Sequence, residues 1–506
     1  MRHLYILALL LFTVMVSSCK KNNSDLHFDE EEVITVTGIA SNYSIITLKG
    51  NYVTINPAVS SNMDSDFEYF WGIYETNVAN GTTPRLDTIT KTKDLNYEVK
   101  LGAKDWVLVF RATNKKTGYS KYMNATLSVG TEFTNGWYVL KDDGSQTDLD
   151  FFPTQQSIVP GSPRENIFSA LNGRKLAGKA TILNFYEDYK IVTPVGAANA
   201  RSLFLVSDQD ISTVDVSTLK EIRGFSSLFV EEPAVKKPAV VTCQIFTAFY
   251  AINDGQLHSI LNVTANNGRF GGRKLKDNQN TPYNLSKYHL IYTTPYFFDE
   301  TSCSFVSAAG GSNYLTPVVD DAVTDLPSNN NNKKMVYMGL KTQSPFVGYA
   351  IFQDKTNPAT KTLSTITPNL TKFKIVNENL LATDKIYNGS NFALLFQDES
   401  LIYFSVGNQI WSRNLSNKFE QLQYTLQAGE EVTAIRHRKY TGAAPYSFNY
   451  VMVSSKIGGN YKVRMFIKSS GNLSAAPAFT LEGKGAAADA LYIEPNIIGF
   501  TYPNTF

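Results

Sequence analysis

Two stretches far apart in this chain share one layout: Phe249-Tyr250-Ala251-Ile252-Asn253-Asp254-Gly255-Gln256-Leu257-His258-Ser259-Ile260 and Ile402-Tyr403-Phe404-Ser405-Val406-Gly407-Asn408-Gln409-Ile410-Trp411-Ser412-Arg413. Each is an aromatic or aliphatic run, a polar turn carrying glycine, and a second run. Runs of this length joined through Asp-Gly or Gly-Asn read as β-hairpins, because few residues tolerate the positive φ of so tight a turn. Weaker copies lie at Leu203 to Val216, turning at Ser207-Asp208-Gln209-Asp210, and at Tyr450 to Phe466, turning at Lys456-Ile457-Gly458-Gly459-Asn460. A hairpin cannot bury its own faces, so a chain that repeats it must stack the copies, which is how the blades of a β-propeller read. The roughly 375 residues from Thr131 to Phe506 hold seven or eight blades at ~45–50 residues each, and seven is the expectation. No Trp-Asp or kelch glycine signature accompanies the repeats, so a less regular β-solenoid or a pair of sandwiches stays open as an alternative.

Residues 33–130 follow a different rhythm. Val33 to Thr37, Tyr43 to Leu48 and Tyr52 to Ile55 are β-branched runs separated by Gly or Asn. Phe67 to Tyr74 follows, then an Asn80-Gly81 turn, then a hairpin of Trp106 to Thr113 and Tyr119 to Val129 around Asn114-Lys115-Lys116-Thr117-Gly118. Trp106, Leu108, Phe110 and Ala112 share one face of the first strand and Arg111 lies on the other. About seven strands in a hundred residues without helical periodicity predict an immunoglobulin-like sandwich, with Trp71 and Trp106 in its core. The fold class is therefore all-β, a sandwich at 33–130 followed by a propeller at 131–506. The 28 Tyr and 31 Phe favour pleated surfaces in the same way.

The first residues read as an address. Met1-Arg2-His3 precedes the apolar run Leu4 to Val16, too short for a bilayer span of ~20 residues and right for the core of a signal peptide at 1–18. It closes on Val16-Ser17-Ser18-Cys19, which resembles the lipobox of bacterial lipoproteins and implies lipid attachment at Cys19, the fatty acid typically being palmitate. Residues 19–32 are polar, with Lys20, Lys21 and later Asp29-Glu30-Glu31-Glu32, and read as a flexible tether. Acidic residues shortly behind a lipidated cysteine resemble the export signal of Bacteroidota surface lipoproteins, which implies the outer membrane, facing the cell exterior. The Phe70-Trp71-Gly72-Ile73-Tyr74 strand, the Asp105 to Asn114 strand and the Lys116-Thr117-Gly118-Tyr119 turn resemble the PKD-like family of those lipoproteins. That resemblance implies an association with SusC/SusD-type, TonB-dependent importers of glycans or peptides. It carries no catalytic residues.

Chemistry is sparse. The histidines beyond the leader are His27, His258, His289 and His437, with no His-Glu-x-x-His and no Cys/His set at zinc spacing, so no metal site is expected. A Gly-x-Ser-x-Gly elbow is absent, and Asn267 to Arg273 is glycine-rich without the Lys-Ser/Thr that would hold a phosphate. Asp320-Asp321-Ala322-Val323-Thr324-Asp325 is the most acidic stretch of the second domain and reads as solvated, as does the Asn329 to Lys334 loop. The basic clusters Arg273 to Lys276 and Arg436 to Lys439 read as solvated loop or edge charges. A formal net charge of +2 gives no reason to expect nucleic acid. Cys243 and Cys303 could pair in an oxidising compartment, and the sequence leaves that open. Trp137, Trp411 and the tyrosines could serve as ligand platforms or as core, with Trp411 equally placed for either. The reading is thus a non-catalytic surface lipoprotein with no cofactor, an accessory of a SusC-like transporter and its SusD-like lipoprotein, capturing peptide or glycan through residues the sequence does not identify. The alternative is a surface enzyme on glycan or peptide with its site in the propeller channel.

Overall fold

The computed structural model describes residues 31–47, 50–75, 83–154, 157–193, 196–244, 248–261, 267–369, 372–442, 445–503 and 506. The signal peptide, Cys19, His27 and the Asn80-Gly81 turn lie outside them. No helix among the described residues is long and apolar enough to cross a membrane.

The N-terminal body is a sandwich. Its main sheet runs Asn42–Ile46, Ser120–Gly130, Lys104–Asn114, Phe67–Glu75, Asp87–Thr90, with the first pair parallel and the others antiparallel. Opposite it lie two ribbons, Ile34–Thr37 with Ala58–Ser61 and Tyr52–Ile55 with Leu95–Glu98. Alternation puts Leu108, Phe110 and Ala112 inside, where Phe110 meets fully buried Trp71 at a ring distance of 4.8 Å. Trp71 Nε1 donates to the Lys93 carbonyl at 3.0 Å, so its one polar atom is satisfied in the core. Trp106, near the start of the central strand, is half-buried against the core, with Lys104 Nζ 4.4 Å from its ring. Glu32, assigned by sequence to the tether, is docked: it accepts from Asn114 Nδ2 at 2.7 Å and Ser61 Oγ at 3.0 Å.

From Gly136 onward the chain builds seven sheets arranged in a ring. The first consists of Leu176–Ala177, Gln146–Pro153 and Gly136–Asp142, with Ala486–Ile493 as its innermost strand. Six sheets follow in chain order, each beginning with the strand nearest the axis except the fifth blade, where the short Val319–Asp320 comes first and pairs in parallel with the outer strand Lys372–Leu380. The strands nearest the axis are Ala180–Thr193, Pro238–Gln244, Leu285–Ile291, Lys333–Gln343, Ser390–Leu394 and Glu431–Tyr440. Successive inner strands touch one another in turn, from Ala180–Thr193 around to Glu431–Tyr440 and on to Ala486–Ile493, which contacts Ala180–Thr193 again. The ring is a seven-bladed propeller with the first blade completed by the last strand, which joins the two ends of the ring within one sheet.

The repeats seen in sequence are the second and third strands of the blades. Phe249 to Ile260 spans Ala248–Asn253 and Gln256–Leu261, and Ile402 to Arg413 spans Leu401–Val406 and Gln409–Asn414. Asp254 and Gly255 both take positive φ (47° and 69°), as do Gly458 and Gly459 (57° and 80°), the conformation that keeps a two-residue hairpin in step with strand twist. The core is a chain of apolar clusters between adjacent blades. Trp137 is wholly buried in the cluster joining the seventh, first and second blades, against Phe448 at 5.3 Å and Tyr492 at 5.2 Å. The sandwich meets the ring at Thr131, whose Oγ1 donates to the Ser217 carbonyl at 2.6 Å.

Candidate functional site

The axis of a propeller is where its inner strands leave space, and in this molecule that space is taken by the chain itself. After Ile493 the backbone leaves the first blade and passes among the inner strands of its neighbours. Gly499 N–H donates to Glu187 of the second blade. The Gly499 carbonyl lies 3.8 Å from Cys243 Sγ of the third. Phe500 packs on Tyr292 (5.5 Å between rings), and Phe506 meets Tyr288 edge-on at 5.7 Å, both beside the fourth. Tyr502 donates to the Tyr492 carbonyl at 3.0 Å and lies under the Arg438 guanidinium of the seventh at 5.3 Å. Burial pushes the Tyr502 phenol well up, so it acts as a neutral donor.

At the end of the channel where this segment enters, a cavity of about 420 Å³ opens between the fifth, sixth and seventh blades. Phe396, Tyr440, Phe500 and Tyr502 supply aromatic wall, and Gln343, Gln397 and Asn496 supply amides. The ionisable groups nearby are already engaged. His437 Nδ1 accepts from the Phe396 N–H at 3.1 Å, which leaves the proton on Nε2, 2.9 Å from Asn449 Oδ1 and 3.5 Å from Asp398 Oδ2. Asp398 also takes Lys468 Nζ at 2.7 Å and Asn449 Nδ2 at 2.6 Å. Burial would raise that carboxyl, but the bonds from His437, Lys468 and Asn449 outweigh it and hold Asp398 far below the usual carboxylate range. Lys439 Nζ is tied to the Gln397 carbonyl at 2.9 Å. The cavity therefore offers flat apolar surface and neutral donors and acceptors, chemistry suited to holding a ligand.

Several sequence expectations need correction. Arg436 to Lys439 is no solvated edge: it belongs to the innermost strand of the seventh blade, with Arg436 8% and Arg438 1% exposed. Arg438 is paired there with Asp489. Arg273 to Lys276 is likewise partly internal, since Lys274 is 2% exposed and its Nζ donates to the carbonyls of Ala309 (3.0 Å), Gly310 (3.3 Å) and Ser312. Burial lowers that ammonium to about 8. Both clusters mislead because charge is read as solvent exposure: Arg436 to Lys439 lies on an inner strand buried on both faces, and Lys274 lies in a loop that folds back over backbone carbonyls. Cys243 and Cys303 are both free thiols, the first on the inner strand of the third blade and the second in a turn of the fourth. Asp320 and Asp325 hold loop backbone, accepting from Ser328 N–H at 2.6 Å and Asn377 N–H at 3.0 Å. Asn331 is 8% exposed, so the Asn-rich segment is an ordered link between the fourth and fifth blades. Trp411 is half-buried, with Lys385 Nζ 5.2 Å from its ring. His258 and His289 sit in blade strands, bonded to the Gly271 carbonyl and to Thr242 Oγ1, each at 3.0 Å. Among the described residues no group of metal-ligating side chains converges. The mouth cavity was missed because its residues come from the ends of four separate segments, a juxtaposition with no local signal.

Comparison with solved structures gives distant likenesses. A quinonprotein alcohol dehydrogenase-like protein from Bacteroides thetaiotaomicron is similar at 13% identity and a TM-score of 0.39, covering 89% of this chain and 96% of that one. The extracellular domain described as that of a one-component system in the same bacterium gives 10% and 0.38, over 90% and 70%. The WD40 domain of SCAP from fission yeast gives 10% and 0.31, over 72% and 93%. Likeness at this level says nothing of what the chain binds or does. No curated protein matches it by sequence. What does match is a family model: residues 21–180, which take in the whole sandwich and the first three strands of the first blade, match the PKD-like family.

Proposed function

We propose that the protein is a non-catalytic lipoprotein of the outer-membrane surface, lipidated at Cys19. It serves as an accessory of a SusC/SusD-type, TonB-dependent importer by capturing peptide or glycan or by bracing the complex. The observation that carries this reading is the segment after Ile493. It runs into the channel in which the alternative, a propeller hydrolase, would place its substrate, and beside it at the mouth lies a cavity walled by Phe396, Tyr440, Phe500 and Tyr502. Aromatic faces beside amides hold sugar rings or peptide side chains without needing a reactive group. The PKD-like match and the lipobox-like leader support the membrane-surface setting. The test is purification of the tagged, lipidated protein from detergent-solubilised outer membranes, with its companions identified by mass spectrometry. Stoichiometric recovery of a TonB-dependent transporter with a SusD-type lipoprotein is expected. Recovery of this protein alone would overturn the importer reading.

A further inference from the structure

Deeper in the channel the charges do not balance. Arg436 is 8% exposed, and its one side-chain hydrogen bond among the described residues is from Nη1 to the carbonyl of its own neighbour Ile435, at 2.9 Å. Among the same residues its Nε has no acceptor. The ammonium of Lys287, on the inner strand of the fourth blade, makes no hydrogen bond or ion pair among the described residues; it lies over the rings of Phe506 at 4.3 Å and Tyr288 at 5.2 Å. Arg436 packs on the same Phe506 ring at 5.6 Å. Asp489, the acid whose charge reaches Arg436, is already spent: it takes Arg438, the Leu183 N–H at 3.1 Å and the Ala490 N–H at 2.8 Å. Glu187 and Glu494, toward the channel mouth, are engaged by Gly499 N–H and by the Tyr440 hydroxyl. Arg436 thus lies buried near Lys287 and Arg438 with no ion pair of its own among the described residues. Burying unmatched charge costs several kcal/mol per ion, and buried donors left without acceptors are rare in folded proteins.

We propose that the channel beside Phe506 is a binding site for one small oxyanion, a carboxylate or phosphate group, held by Arg436 with Lys287 as the second positive charge. Arg436 supplies the fork of donors that matches such oxygens. Lys287 is open to solvent, so an ion can reach the pair without unfolding the blades. Phe506 offers the positive edge of its ring to the anion while its face holds the cations. A bound anion would also offset the repulsion between Lys287 and Arg436. The inference is independent of any importer, since it concerns charges inside the ring.

The test is calorimetric titration and thermal unfolding of the purified full chain with acetate and with inorganic phosphate, each against chloride at matched ionic strength. Saturable binding of at least one oxyanion, with a concentration-dependent rise in Tm that chloride does not reproduce, is expected. Preference for acetate assigns a carboxylate ligand, and preference for phosphate a phosphate. Lys287→Gln, at a solvent-open position, should weaken binding by about tenfold, the loss of one charge-assisted hydrogen bond, and Arg436→Gln should weaken it further. A wild-type response equal to chloride, or one that Lys287→Gln leaves unchanged, would overturn the proposal whether or not Arg436→Gln folds.

Discussion

Arg438 of the seventh blade donates through Nη2 to Asp489 of the first, and through Nε to the Ala490 carbonyl at 2.9 Å, across the seam where the ring closes. Both side chains are withdrawn from water, at 1% and 0% exposure. A second polar link crosses the same seam: Tyr461 donates to Asp150 Oδ2 at 2.8 Å, while Lys141 Nζ meets Oδ1 at 2.9 Å.

Removing one partner of the first pair leaves the other buried without compensation. Asp489→Ala is expected to cost about 3–5 kcal/mol in urea unfolding, whereas Arg438→Met with Asp489→Leu costs less than the sum of the single changes, because neither partner of the pair is then left facing the other's absence. A double variant as unstable as the sum of the singles would contradict this account of the seam.

Stability should fall with acid through His289. Its Nδ1 faces the Lys287 carbonyl at 3.0 Å and so carries the proton, and its Nε2 accepts from Thr242 Oγ1. Burial lowers the ring from 6.5 to about 4. Between those values the unfolded chain binds a proton that the folded chain refuses. The contribution is therefore complete above pH 6.5 and lost as pH drops toward 4, by about 3 kcal/mol in all. Denaturation midpoints at pH 7 and pH 4.5 measure it, and His289→Gln should flatten the difference.

Thiol titration separates the free cysteines from a bridge. With Cys19 replaced by Ser, the folded protein should react slowly, since Cys243 is held far above its ordinary pKa by burial and Cys303 is 8% exposed. Two thiols should appear in denaturant without reductant. Finding none there would mean that the pair is oxidised.

The two propeller tryptophans should behave differently. Trp137→Ala removes a wholly buried ring at the meeting of three blades and is expected to cost about 3–5 kcal/mol. Trp411→Ala gives up only part of a buried surface, about 1–2 kcal/mol. Equal costs would mean that Trp411 carries more packing than its half-buried position indicates.

What the sequence made legible was local. The turns at Asp254-Gly255, Gly407-Asn408 and Gly458-Gly459 announce the central hairpins because positive φ leaves a mark in residue type. The central strands of the fourth blade, joined through Glu300 to Cys303, and of the fifth, joined through Lys355 to Thr360, have no such turn and carry no comparable signal. Inner strands are hidden for a different reason. Glu431–Tyr440 shows charges where a strand of a one-sided sheet would show alternation, because its partners are Asp489, Phe506 and the channel, not solvent. The plug and the mouth cavity depend on where residues 494–503 run after the last strand, and no periodicity encodes that path.

The pairing of Gly136–Asp142 with Ala486–Ile493 has a consequence in time. The first blade is begun about 350 residues before the strand that finishes it exists, so its inner edge waits, unpaired, through the making of six other blades. Contacts so distant in sequence form late and slowly, and an open strand edge is an invitation to the wrong partner. Until its last strand is made, the ring has no partner for the open edge of its first blade.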